Sequence, residues 1–476
     1  MRRVRGRTSN RLGLAALGVF VVLLAAAGIS AFKTLTFVSK VSTADVGENI
    51  RSIVQEAPVV APLVSPAPQP AASQRVNILL LGFGGPGHDG PYLTDSIMVL
   101  SVDRQTRTAA MISIPRDTWV KVPYQGEQGS FYKVNTAYAI GIDDQSFRNK
   151  GPDYRGPAGG GNLASTVVGG MLGMRIDYWV GVDFHAFKSV VDALGGVDVN
   201  VEKAFTDYQY PRNDNPAIDP GWMTVHFNAG TQHMTGERAL QYSRSRHSLE
   251  DGTDFGRSKR QQRLILAIKN KALTPEGVAR VFGLMDALSN DFKTNMTIGQ
   301  MREMADLART IDISAIDHIS IDDTNFLAEG ITADGQDVLV PQARSWAPLR
   351  TYVASALLDP AVKSENATVQ LLSGGDLSAT AGTATSQLKD LGLQLLPPES
   401  DASAGPESEI HDFTHGQDPS TVSYLAELFG AKVFWETPTA ADHPDIKIIL
   451  GSSYRAPNAA MDGWDPGVRV LSAAMR

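Results

Sequence analysis

The stretch Tyr178-Trp-Val-Gly-Val-Asp-Phe-His-Ala-Phe-Lys-Ser-Val-Val-Asp-Ala-Leu-Gly-Gly-Val-Asp-Val-Asn-Val201 decides the fold. Tyr178 to Val182 is a β-forming run, whereas Phe184, Phe187, Val190, Val191 and Leu194 recur at helical spacing. Gly195-Gly196 stops that helix, and Val197 to Val201 alternates as the next strand. Upstream, Val76 to Leu81, Ser96 to Val102 and Thr108 to Ile114 are strand-like, and Pro115 closes the last of them. After the glycines at 159–161 a helix is expected from a cap near Asn162 through Leu172. Strands alternate with helices, which predicts a layered α/β domain with a central mixed sheet flanked by helices. Downstream, Lys203 to Phe227 reads as polar and irregular, Gly236 to Tyr242, Asp254 to Leu273 and Ile298 to Ile311 as helices, and Val338 to Val340 as a strand. Past Asp359 to Glu365, the run Ala367 to Leu372 opens a second, small α/β unit. It is acidic, with 14 Asp and Glu against 6 Lys and Arg from Asn366 onwards.

The whole chain has 476 residues, 43 Lys and Arg, 51 Asp and Glu, a net charge of −8 and no cysteine. Without cysteine there is no disulfide framework, thiolate zinc site, iron–sulfur cluster or cysteine nucleophile, so oxygen and nitrogen groups carry any chemistry. Arg2, Arg3, Arg5, Arg7 and Arg11 precede 21 uncharged residues, Leu12 to Phe32. That run matches the roughly 20 residues a membrane-spanning helix needs, and exceeds the roughly 7–15 of a secretory h-region. A retained signal-anchor is expected, its N-terminus cytoplasmic and the bulk of the chain outside the cell membrane. Five prolines between Ala57 and Ala72 predict a stiff spacer. The expected organisation is a basic flank and transmembrane anchor (1–33), a Pro-rich linker (34–75), a main domain (76–360) and the small C-terminal domain (361–476).

Gly82, Gly84 and Gly87 match G-x-G-x-x-G after a strand, but the dinucleotide fingerprint needs a helix next, and here another strand follows Tyr92-Leu-Thr-Asp95. A glycine-rich active-site loop is the better reading. Residues 238–271 concentrate nine Lys and Arg, against Glu250, Asp251 and Asp254 within the stretch and Glu237 just before it. Arg244 and Arg246 are two apart, as for one side of an extended chain, and Arg257, Arg260 and Gln261 share one helical face. Converging guanidinium forks suit a phosphate or pyrophosphate, the bland alternative being a solvated basic helix. Arg116 and Asp117 end the strand closed by Pro115, where α/β sheets commonly hold active-site groups; a strand-end ion pair is the alternative. Asp95, with Asp89 and Asp103 nearby in sequence, offers carboxylates suited to Mg²⁺, although each alone also fits a turn.

In order along the chain, Asn77-Ile-Leu-Leu-Leu-Gly82, Thr94-Asp-Ser-Ile-Met98, Ser113-Ile-Pro-Arg-Asp117, Lys133-Val-Asn-Thr-Ala-Tyr138, Asp177-Tyr-Trp-Val180, Val191-Asp-Ala-Leu-Gly-Gly-Val-Asp198, Tyr242-Ser-Arg-Ser-Arg246 and Asp254-Phe-Gly-Arg257 with Gln261-Gln262 resemble the LytR-CpsA-Psr family of envelope phosphotransferases over about residues 76–358. Val369-Gln-Leu-Leu-Ser-Gly-Gly375 and Ile448-Ile-Leu-Gly-Ser-Ser-Tyr454 resemble the small LytR C-terminal domain. The resemblance implies transfer of a glycopolymer from a polyprenyl pyrophosphate carrier to peptidoglycan, at the membrane and with no nucleic acid as partner. It implies Asp95 as the Mg²⁺ carboxylate, with Arg116, Lys133, Arg244, Arg246, Arg257 and Gln261 clamping the pyrophosphate. The family's usual Asp and Arg after the first strand are replaced by Gly82-Phe-Gly-Gly-Pro-Gly-His-Asp-Gly90, where Asp89 is the expected second metal carboxylate. Asp254 or Asp117 is expected to accept the proton of the attacking hydroxyl. An apolar slot for the lipid is expected from Leu163, Val167, Val168, Met171, Leu172, Val180, Val182, Phe184, Phe187, Val190, Val191 and Leu194. The competing function is a non-catalytic, membrane-anchored binder of anionic envelope lipids or wall polymers.

Overall fold

The structure, a computed structural model, describes Ser42, Thr43 and residues 75–471 except 126–128, 214–217, 246–247, 249–259, 261–262, 265–266, 269, 273–290, 312–315, 323, 374–380, 383, 386–387, 390, 401–404, 438–442 and 453–463. The expected anchor at 12–32, the proline spacer and much of the helix expected at 254–273 lie outside the described residues. Among the described residues no helix is long and apolar enough to cross a membrane.

The chain opens with strands β1 (Arg75–Phe83), β2 (Thr94–Asp103) and β3 (Ala109–Ile114), followed by the hairpin β4 (Trp119–Val122) and β5 (Ser130–Lys133). Helices α1 (Thr136–Ile142) and α2 (Gly159–Leu172) lead to β6 (Tyr178–Asp183), α3 (Phe184–Ala193) and β7 (Val197–Val201). Next come β8 (Phe205–Pro211), β9 (Trp222–Phe227), β10 (Gly230–Met234), α4 (Gly236–Arg244), β11 (Phe292–Thr294), α5 (Ile298–Thr310), β12 (Asp317–Ser320), β13 (Leu327–Ile331), β14 (Asp337–Pro341), α6 (Ala347–Leu357) and α7 (Pro360–Glu365).

The central sheet runs β11-β6-β1-β2-β3-β12. β1 is parallel to β6 and β3 to β12, while β2 and β11 are antiparallel to their neighbours, so the sheet is mixed. β1 is buried on both faces, which explains its unbroken run Ile-Leu-Leu-Leu. Ile78 and Leu80 pack with α3, α4 and α5 through Val190, Leu240 and Met304. Leu79 and Leu81 pack on the opposite face with α1, α2 and α6 through Ile140, Val167 and Val353. Each such leucine stabilises the fold by roughly 2 kcal/mol through burial. The result is a three-layer α/β/α unit, as the alternation of elements predicts.

Two local readings need correction. Helix α2 begins at Gly159, three residues before Asn162. The glycines form its first turn because a Cβ at Gly161 would lie 2.0 Å from the Trp179 ring. Asn162 is therefore no cap; its side chain accepts from Trp179 Nε1 at 3.1 Å. The segment read as irregular from Lys203 is the β8–β9 hairpin, its alternation broken by a register shift between Asp207 and Tyr210. The end of α3 is as expected: Gly195 and Gly196 take φ of 76° and 78°, where a side chain would be strained.

The C-terminal unit has its own sheet and core. Strands β15 (Thr368–Ser373), β16 (Gln394–Leu395), β17 (Glu399–Ser400), β18 (Glu409–Asp412), β19 (Lys432–Trp435) and β20 (Ile446–Leu450) assemble around β15 and β20, with α8 (Pro419–Phe429) packed alongside. Val369, Leu371, Leu388, Ile410, Leu425 and Ile448 form that core. The chain then returns to the first unit, where β21 (Arg469–Val470) pairs with β13.

Candidate active site

The sheet topology brings one set of chain ends to one edge. β1, β3 and β6 finish there and β2 begins there, because β2 is antiparallel to both its neighbours. In α/β sheets such an edge is where polar groups escape the hydrophobic layers and face a ligand.

At the end of β3, Pro115 interrupts the ladder and Thr118 closes a turn by donating from N and Oγ1 to Pro115 O at 3.2 and 2.7 Å. Arg116 and Asp117 are the two central residues of that turn. The β4–β5 hairpin then folds back so that Lys133 lies opposite Trp119 in register. Lys133 Nζ donates to Asp117 Oδ1 at 2.8 Å, Arg116 Nε to Asp117 Oδ2 at 3.4 Å, and Arg116 NH1 to Asp95 Oδ1 at 2.5 Å. The hairpin is tied to the start of β2 through Thr94 N donating to Asn135 O at 3.0 Å. Burial acts to lower the Arg116 proton affinity, but Asp95 and then Asp117 more than offset it, so the guanidinium sits above its ordinary value.

These side chains are a quarter to nearly a half exposed, 24% for Lys133 and 44% for Arg116. Exposed pairs of this kind are worth roughly 0–1 kcal/mol, so their partners exchange easily. The relay Asp95, Arg116, Asp117 and Lys133 is thus a set of cations held loosely by carboxylates.

The other expected residues divide. Arg244 ends α4, with its guanidinium carbon 4.5 Å from the centroid of Phe184 and 5.7 Å from that of Tyr210, and NH1 3.5 Å from the Tyr210 hydroxyl. Phe184 starts α3 at the same sheet edge and meets His88 of the first loop edge-on at 5.3 Å. Arg246, Asp254, Arg257 and Gln261 lie outside the described residues. Arg260 is buried beneath Phe205 and donates to Tyr242 O and Ser245 O at 3.1 and 2.5 Å, so it supports the fold. Asp89 is exposed in the 84–93 loop, and no helix follows that loop, so the dinucleotide reading is excluded. Asp103 lies at the opposite end of β2 from Asp95, roughly 26 Å along a strand of this length. Buried there, it accepts from Gln105 N, Thr106 N and Arg75, a turn-forming role remote from the site.

The residues expected to line a lipid slot fall on both sides of the sheet. Leu163, Val167, Val168, Met171 and Leu172 belong to one core, while Val180, Val182, Phe184, Phe187, Val190, Val191 and Leu194 belong to the other. As a group they cannot line a single cavity, because strand side chains alternate faces and α2 and α3 cover opposite ones.

Asp183 escaped the sequence reading. It ends β6, caps α3 by accepting from Ala186 N at 2.8 Å, and is 3% exposed. A Cβ on Gly85, where φ is +86°, would come within 2.7 Å of its Oδ2, so the glycine-rich loop lies directly on this carboxyl. Burial, with Asp291 adding repulsion, raises its pKa to about 6. The signal was available: a strand-end acid one residue before a helix, the logic already applied to Asp117.

Among the described residues no group of three or more His, Asp or Glu forms a ready metal cage. Mg²⁺ commonly needs only one or two protein carboxylates, taking its remaining ligands from substrate phosphates and water. The half-exposed Asp95 beside an anion-binding set of cations fits that pattern.

The model of the LytR_cpsA_psr family matches residues 37–351. A Bacillus mycoides protein named polyisoprenyl-teichoic acid–peptidoglycan teichoic acid transferase TagU is 28% identical over 288 residues, which is 60% of this chain and 80% of that protein. A Bacillus cereus protein of the same name is 30% identical over 232 residues, 49% of this chain and 64% of the relative. The crystal structure of B. subtilis TagV is 25% identical, with a TM-score of 0.42 over 60% of this chain and 98% of that one.

Proposed function

Because the chain belongs to the LytR_cpsA_psr family, we propose that it transfers a glycopolymer from a polyprenyl pyrophosphate carrier to peptidoglycan, leaving a phosphodiester. The observation that carries the reading is the relay of Asp95, Arg116, Asp117 and Lys133 at the strand ends: cations paired only loosely with carboxylates exchange those partners for phosphate oxygens.

Pyrophosphate oxygens replace Asp95 and Asp117 on Arg116 and Lys133, and Arg244 approaches from the α4 side on its aromatic supports. Arg246, Arg257 and Gln261 complete the clamp. A peptidoglycan sugar hydroxyl attacks the phosphorus bonded to the polymer. The bond from that phosphorus to the bridging oxygen breaks, the electron pair leaves with polyprenyl phosphate, and a carboxylate takes the hydroxyl proton. Asp254 or Asp117 is the acceptor; pyrophosphate that displaces Asp117 from Arg116 and Lys133 frees its oxygens for that role. The protein's contribution is positioning and neutralisation of developing charge, as in other phosphoryl transfers. Asp95, with Asp89 as second ligand, would hold Mg²⁺, whose chemistry is to neutralise charge on the phosphate oxygens.

Leu12 to Phe32 anchors the chain in the cell membrane with the N-terminus cytoplasmic, and the proline spacer carries the site towards its wall acceptor.

The test is incubation of the full chain with a polyprenyl pyrophosphate glycan and peptidoglycan oligomers, with and without Mg²⁺. Polyprenyl phosphate release is expected, and it should collapse in Asp95→Ala and Arg244→Ala. Unchanged release in both variants would overturn the assignment of the site.

A further inference from the structure

The Arg116–Asp117 turn and the Lys133 hairpin are joined to the segment 464–471. Leu339 N of β14 donates to Asp117 O at 3.0 Å, and Thr118 forms a bridge with Leu339. β14 pairs with β13, and β13 with β21 at Gly330 and Ile331. A second link is made by side chains. Trp119, the register partner of Lys133, donates Nε1–H to Asp465 Oδ2 at 2.9 Å. The other oxygen of Asp465 accepts from Gly467 N at 2.9 Å, and Asp465 O from Val468 N at 3.2 Å, forming the turn that delivers Val468 to β21. Val468 is buried with Val338 and Val340, and Trp119 and Trp464 pack against them. Trp464 also lies under Arg344, 5.2 Å from guanidinium carbon to ring centroid.

We propose that Trp119 and Asp465 are positioning residues through which the C-terminal segment 464–471 holds Lys133 and the Arg116–Asp117 turn in place for the pyrophosphate. The argument rests on the anion-site reading above. β4 and β5 are strands of four residues each that form a two-stranded sheet of their own. An isolated two-stranded hairpin is marginal in water. Val120 and Val122 bury one face of it in the main core, and the other face, which carries Trp119 and Lys133, is pinned by the indole hydrogen bond and by the small β13–β14–β21 sheet. The segment 464–471 is thereby coupled to the site without contributing a group that touches substrate.

The experiment uses inorganic pyrophosphate as the probe and titrates it calorimetrically into the full chain. Trp119→Phe, which keeps the ring and removes the donor, and Asp465→Ala should each weaken binding about fivefold, the scale of one net hydrogen bond. The double variant should be no weaker than the worse single variant, and in a Lys133→Ala background the same substitutions should have a smaller effect, only what passes through the Arg116–Asp117 turn. A purely structural contribution would not show that dependence on Lys133. Amide exchange should rise in residues 119–134 of Asp465→Ala and stay unchanged in β1. Undiminished affinity in Asp465→Ala, with Lys133→Ala weakened, would overturn the positioning role alone. Undiminished affinity in Lys133→Ala would remove the anion site and this inference with it.

Discussion

Two sets of cations in this molecule are held in opposite ways. At the sheet edge, Arg116 and Lys133 are partly exposed and meet carboxylate side chains. At helix ends and under the aromatic cluster, Lys150, Arg260 and Arg350 are buried. Lys150 donates to Ile140 O and Gly141 O at 2.9 and 2.5 Å at the end of α1 besides pairing with Asp144 at 2.8 Å, and Arg350 donates twice to Gly170 O in the last turn of α2 at 3.0 and 2.8 Å. Backbone carbonyls at a helix C-terminus need donors and favour positive charge. A buried cation serving them cannot leave without orphaning polar groups, whereas a cation paired with an exposed carboxylate can turn to a phosphate. Burial on backbone carbonyls, more than the presence of a cation or of a carboxylate partner, marks the supporting set.

The comparison predicts unequal consequences. The largest is catalytic: Arg116→Ala should reduce transfer at least about a hundredfold, while changing stability by less than about 1 kcal/mol. Rate assays and denaturant unfolding of the same preparation check both halves, and a large stability loss with modest rate loss would invert the assignment. Arg260→Met should cost about 3 kcal/mol of stability, because Tyr242 O and Ser245 O lose buried donors. Unfolding midpoints test it, and an unchanged midpoint would break the contrast.

Asp183 sharpens the account from the acidic side. Its pKa is raised to about 6 from an ordinary 3.8, so the folded state binds its proton more tightly than the unfolded chain does. The stability gained from that proton is complete below the ordinary value and is lost as pH rises through about 6. Asp183→Asn keeps an N-cap oxygen and removes the titration, so it should stabilise the protein by about 2 kcal/mol at pH 8 and leave it nearly unchanged near pH 3. Melting curves at the two pH values decide it. The smallest effect is expected for Asp89→Ala, a few-fold rise in the Mg²⁺ concentration needed for half-maximal transfer. An unchanged Mg²⁺ dependence would dismiss Asp89 as a ligand.

Sequence periodicity was enough to read the layers, because β1 and the segment from Tyr178 to Val201 carry unbroken apolar and helical patterns set by burial. The β8–β9 hairpin was hidden by its register shift, and the start of α2 by glycines chosen for the Trp179 ring above them. At the site, Asp95, Arg116, Asp117 and Lys133 were legible from motif order and strand-end position. Two facts were not legible. Arg260 sits three residues from a clamp candidate yet is buried, and Asp103 shares a strand with Asp95 yet lies at its other end. Both depend on which end or face of an element is open, and only tertiary packing fixes that.

The most direct test follows one phosphorus atom. A polyprenyl pyrophosphate glycan labelled at the phosphorus attached to the sugar is incubated with the full chain and peptidoglycan oligomers. The account predicts label in the peptidoglycan-linked product and unlabelled polyprenyl phosphate. Label recovered as inorganic phosphate, or retained on the lipid, would contradict it.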